Sequence, residues 1–74
     1  MKNFKFTVIT NGKDAITSQI AYEKFIELLA IRGYGFSVKR KDVASACREY
    51  IVKVPEISEA DAEYAFYMLD ASVA

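Results

Sequence analysis

Asn11-Gly12-Lys13-Asp14-Ala15-Ile16-Thr17-Ser18-Gln19-Ile20 fits either a strand or a helix, and the two give different folds. Ahead of it, Asn3 to Thr10 alternates, with Phe4, Phe6 and Val8 on one side and Lys5, Thr7 and Ile9 on the other. Aromatic and β-branched residues at period two describe a strand, and Asn11-Gly12 is a turn signal. In the first reading Asp14 to Ile20 returns as a second strand. Setting Ile16 against Val8 and Ile20 against Phe4 puts the apolar side chains on one face, with a loop longer than the two-residue Asn-Gly turn. In the second reading Asp14, Thr17 or Ser18 caps a helix that begins early. The hairpin is the preferred expectation.

Downstream the pattern is plainer. Tyr22, Phe25, Ile26 and Leu29, widened by Ala21 and Leu28, form the apolar stripe of a helix over Ala21 to Arg32. Arg32 suits the negative end of the helix dipole, and Gly33 is the expected stop. Tyr34 to Lys39 reads as a strand whose Tyr34 and Phe36 enter the core, followed by a charged break at Arg40-Lys41-Asp42. Val43 to Cys47 fits a short helical turn or a loose strand. Tyr50, Val52 and Val54 alternate as a further strand, which Pro55 ends. Ser58-Glu59-Ala60-Asp61 resembles a capping box with Asp in place of Glu, and Ile57 stands where a hydrophobic staple belongs. Ala62, Ala65, Phe66, Leu69 and Val73 supply the buried stripe of a last helix.

These elements predict one α+β domain over residues 1–74, with a three- or four-stranded antiparallel sheet and two amphipathic helices on one face, in the order β(β)αββα. With the first hairpin, the hairpin-then-helix start is similar to the beginning of a β-grasp (ubiquitin-like) domain. That resemblance rests on element order and Asn11-Gly12 over about the first 40 residues.

Composition narrows the function. A chain of 74 residues buries only about 60% of its unfolded surface on folding. This one compensates with 53% hydrophobic residues, five Phe and five Tyr. The most apolar stretch, Phe25 to Ile31, has Glu27 at its centre and falls short of the ~20 residues of a membrane span. The start, MKNFKFTVITNGK, lacks the apolar core of a signal peptide. A lone Cys47 points to a reducing compartment and a cytoplasmic protein.

Chemistry is scarce. The chain has no histidine, hence no imidazole base and no histidine metal ligand. Cys47 alone builds no thiolate metal site, and its neighbours Ala44, Ser45 and Ala46 read as packing. No catalytic residue, metal or cofactor is expected, and the chain is not expected to be an enzyme. Arg32-Gly33-Tyr34-Gly35-Phe36 matches the first positions of the RNP1 signature of RNA-recognition domains. The match stops at Ser37 and Lys39, and the segment follows the first helix, whereas RNP1 lies on the third strand of a βαββαβ fold. The pattern also ends in the second helix, without a final strand.

Charge is more informative. Residues 1–55 hold all ten Lys and Arg against five acids, and residues 56–74 hold the other five acids and no base. The acidic last helix also carries tyrosines on its outer side, a combination that protein interfaces favour. The expectation is a non-enzymatic protein-binding module, an inhibitor or adaptor that covers a partner's surface through Glu59, Glu63, Tyr64, Tyr67 and Asp70. In size and character the chain is similar to small phage-encoded inhibitors of host or defence proteins, such as anti-CRISPR proteins. The alternative is a nucleic-acid binder using a basic turn, Lys39-Arg40-Lys41, with Arg32 and Arg48, Lys53 nearby and Tyr34 as an accompanying aromatic. A second copy of the chain is a further candidate partner.

Overall fold

The computed structural model describes residues 2–13 and 15–74. It contains β1 (Lys2–Ile9), α1 (Ala15–Arg32), β2 (Ser37–Ala44), β3 (Cys47–Val54), α2 (Glu59–Met68) and β4 (Ser72–Val73). All pairings are antiparallel, in the strand order β2-β3-β1-β4. This is a mixed α+β domain with the βαββαβ order of a split βαβ unit.

The stretch after β1 is helical. Gly12, at φ 98°, makes the turn, and the Ala15 N–H donates to the Gly12 carbonyl at 3.3 Å. From there α1 runs for 18 residues. The expected second strand over residues 14–20 is therefore absent over 15–20, and the likeness to a β-grasp start goes with it. Asp14, offered as a strand start or a cap, lies outside the described residues. The alternation of Ile16 and Ile20 misleads, because both side chains face solvent, Ile16 at 73% exposure. The face turned inward is Ala15, Ser18, Tyr22, Phe25 and Leu29, a three-four-three-four spacing that continues the stripe backwards. Ser18 fits there because it has partners: its Oγ accepts from the Ile9 N–H at 3.0 Å and donates to the Ala15 carbonyl at 3.1 Å.

The end of α1 is a Schellman motif. Gly33, at φ 76°, donates to the Ala30 carbonyl at 3.2 Å, and the Tyr34 N–H to the Leu29 carbonyl at 3.0 Å. That turn consumes Tyr34, Gly35 and Phe36, so β2 begins only at Ser37. Tyr34 is half-buried, and Phe36, expected in the core, is exposed. Nor is Arg40-Lys41-Asp42 a break, since these residues sit in the middle of β2, paired with Tyr50, Glu49 and Arg48. An edge strand needs no apolar alternation and commonly carries charge. A bulge between Asp42 and Ala44 and a two-residue loop, Ser45-Ala46, complete a hairpin with β3.

The core lies between the helices and one face of the sheet. Phe4 and Phe6 of β1 and Val52 and Val54 of β3 meet Phe25 and Leu29 of α1 and Ala62 and Ala65 of α2, and Val8 of β1 is buried as well. Phe4 lies 4.9 Å from both Phe25 and Phe66, ring centre to ring centre, and Phe6 lies 5.2 Å from Phe25. Such tilted aromatic pairs add to area burial.

The chain does not end in its second helix. Asp70, at φ 57°, turns it back, and the buried Ala71 donates its N–H to the Ala65 carbonyl at 3.0 Å. Ser72 and Val73 then pair with Lys5 and Phe4 as β4. Two residues show no period, which hides this strand from the sequence. Val73, expected in the helical stripe, is exposed.

Candidate functional site

Two surfaces carry the residues singled out by charge and aromatic content, and they lie on opposite layers. The first is the outer side of α2. Its start is fixed by a small network. Ser58 caps the helix, its Oγ accepting from the Asp61 N–H at 3.2 Å, and Ile57 is buried as the staple. The Asp61 side chain does not return to the Ser58 N–H as a simple capping box would. The Tyr34 hydroxyl stands between them, accepting from the Ser58 N–H at 3.2 Å and donating to Asp61 Oδ2 at 2.7 Å. Arg32 Nε approaches the same oxygen at 3.5 Å. Asp61 is buried, and its Oδ2 takes both of these contacts. The α1 C-terminus is thereby tied to the α2 N-terminus.

With α2 held this way, Tyr67 is 79% exposed, Met68 70% and Tyr64 42%. Positions 59, 63 and 67 fall four apart along one line of the helix, and 60, 64 and 68 along the next. Glu59 and Glu63 therefore flank the tyrosines, and exposed Asp70 follows the helix end. Beside Tyr64 a groove of about 540 Å³ runs between the helices, lined by Lys24, Leu28, Ile31 and Ala60 among others. All five residues expected at a protein contact lie on or next to α2's exposed side. Ile31, solvent-exposed across the groove, was not among them. Its signal was its position off the buried stripe of α1.

The second surface is the sheet face without helices. The register sets Lys5 and Lys39 on either side of Ile51, with Lys53 two residues further along β3. Glu49 lies on the other side of Ile51, opposite Lys41. The basic residues proposed as one turn do not share this surface. Lys39 and Lys41 do, but Arg40 points to the helix side, as do Asp42 and Arg48 by the same alternation. Asp42 Oδ1 accepts from Arg40 Nε at 3.4 Å and from Arg48 Nε at 3.2 Å. The Arg40 guanidinium, and after it that of Arg48, holds the Asp42 carboxyl below its ordinary value. Arg48 also donates to the Tyr50 hydroxyl at 3.4 Å, and that bond, ahead of Asp42, raises its own pKa. Arg32 is engaged with Asp61. The five-residue basic set thus divides among three places. The sheet face gains Lys5 instead, which the outward parity of β1 had marked.

Among the described residues no group of three or more His, Cys, Asp and Glu is placed to hold a metal ion. No helix there is long and apolar enough to cross a membrane. Cys47 is free and half-buried. No family model, curated protein or solved structure matches the chain.

Proposed function

We propose that the chain is a non-enzymatic protein-binding module that covers a basic surface of its partner with the outer side of α2. The observation that supports this is the exposure of Tyr64, Tyr67 and Met68 on successive turns of a helix whose flanks are acidic. Large aromatic and thioether side chains are what interfaces enrich at their centres, and charge belongs at the rim. Leaving Tyr67 and Met68 in water gains the fold nothing, since Ala62, Ala65 and Leu69 already fill the inward side. Glu59, Glu63 and Asp70 choose the partner's sign and speed the encounter. A basic surface covered in this way loses access to its own ligand, which is how an inhibitor or adaptor of this size acts.

The test is affinity capture from a lysate of the source cells, with nuclease present, using the wild type and three variants. A defined protein retained by the wild type and by Lys39→Ala, and lost with Tyr67→Ala and with Glu63→Lys, supports the reading. A protein retained equally by all four overturns it.

A further inference from the structure

The charge polarity of the sequence becomes a polarity of the fold. Four of the five acids of residues 56–74, Glu59, Asp61, Glu63 and Asp70, lie on the helix layer and its flank, whereas the open sheet face carries Lys5, Lys39, Lys41 and Lys53 against Glu49, with Glu56 at its margin. Glu49 sits opposite Lys41 in the register, which leaves Lys5, Lys39 and Lys53 arranged around Ile51. Among the described residues none of these three has a carboxylate within 4.0 Å. Strands lie about 4.8 Å apart and alternate residues about 6.6 Å along a strand, so the three ammonium groups cover a patch a few residues wide. Like charges gathered this closely repel one another and favour an anionic occupant.

Two shallow depressions lie on and beside this patch. One, of about 280 Å³, is lined by Ser37, Val38, Lys39, Ile51 and Lys53. The other, of about 370 Å³, lies at the end of the β2–β3 ladder and shares Ser37 and Lys53 with the first. Its walls include exposed Phe36, Pro55 and Glu56. The two therefore form one trough with lysines along its course and an aromatic ring at its end.

From this arrangement we infer that the open sheet face binds single-stranded nucleic acid, with phosphates on Lys5, Lys39 and Lys53 and a base against Phe36. A backbone-tracking basic groove with an aromatic platform is how single strands are held without sequence preference. Glu56, at the trough's far end, is placed as an acceptor for a base amino group. A lipid surface fits less well, since a flat headgroup layer makes no use of the two depressions, and an acidic protein would leave the ring without a use. The site lies on the opposite layer from α2, so it is independent of the protein contact proposed above.

The experiment is fluorescence anisotropy of a labelled mixed-sequence single-stranded oligonucleotide, titrated with the purified full chain at several salt concentrations. Neutralisation of three phosphates predicts a slope of log K against log [salt] of about −2. Lys39→Ala with Lys53→Ala flattens that slope by about 1.4, Phe36→Ala weakens binding about tenfold at constant slope, and Tyr67→Ala changes neither. These are surface substitutions, and circular dichroism of each variant checks the fold. Absence of binding at low salt overturns the inference. So does equal binding by the double-lysine variant, equal affinity for a duplex of the same length, or binding of phosphatidylserine vesicles in preference to the oligonucleotide.

Discussion

Replacing Tyr34 by phenylalanine removes one oxygen and leaves the ring in place, so it isolates the bond that ties α1 to α2. The hydroxyl donates at 2.7 Å to the carboxylate of a side chain that is 12% exposed. A hydrogen bond to a charged group contributes about 1.5–3 kcal/mol, and the Ser58 N–H, which is exposed, turns to water at little cost. Tyr34→Phe is therefore expected to cost about 2 kcal/mol. Asp61→Ala loses the same bond. It also loses a carboxylate in the first turn of α2, worth about 0.3–1 kcal/mol, and a largely exposed pairing with Arg32 worth about 0–1 kcal/mol. Its expected cost is about 3 kcal/mol. The double variant should also cost about 3 kcal/mol, which gives a coupling of about 2 kcal/mol. Urea unfolding followed by circular dichroism measures it. With a slope of about 1 kcal/mol per molar urea for a chain this small, Tyr34→Phe lowers the midpoint by about 2 M. If the two single effects add in the double variant to within about 0.5 kcal/mol, hydroxyl and carboxylate do not interact, and the network cannot be what positions α2.

Phe25→Ala empties the centre of the aromatic cluster, where Phe4 and Phe6 lie within 5.2 Å, and should cost about 3–5 kcal/mol in the same urea assay. In a domain of this size that removes most of the stability. Ser58→Ala deprives the Asp61 N–H of its acceptor and should cost about 1 kcal/mol, read as a lower urea midpoint with an unchanged slope. Burial first, and then neighbouring Tyr50 at a ring separation of 4.0 Å, raises the Tyr22 hydroxyl above its ordinary 10.0. A folded pKa above the unfolded one means that the contribution of neutral Tyr22 is complete below about pH 10 and fades as pH rises through the folded value. Carbon NMR of the tyrosine Cζ should show Tyr22 ionising above the ordinary tyrosine value, with Tyr50→Phe reducing the shift.

The helices and central strands were legible because their periods are carried by large side chains: Tyr22, Phe25 and Leu29 at helical spacing, and Phe4, Phe6 and Val8 at period two. The start of α1 was not, because its inward position 18 is a serine and its isoleucines point outward. Only the Ile9 N–H, a long-range partner, explains why Ser18 is tolerated there. Strand β2 was misplaced because an edge strand exposed along its whole length obeys no burial pattern, and β4 because two residues have none. The candidate contact on α2 was visible as acids and tyrosines off a buried stripe. The basic set was grouped by adjacency in the chain, whereas a strand sends neighbours to opposite faces. That alternation separates Arg40 from Lys39 and Lys41, and the pairing of β1 with β3 brings Lys5 beside Lys53.

A photo-crosslinking phenylalanine analogue at position 67 probes whether the outer side of α2 is the protein contact. The control carries it at position 39, on the other layer, and both are irradiated in lysate of the source cells after nuclease treatment. One dominant protein adduct is expected from position 67, suppressed by adding Glu63→Lys, and no such adduct from position 39. The same adduct from position 39, or adducts from position 67 that are indifferent to Glu63→Lys, would contradict that contact.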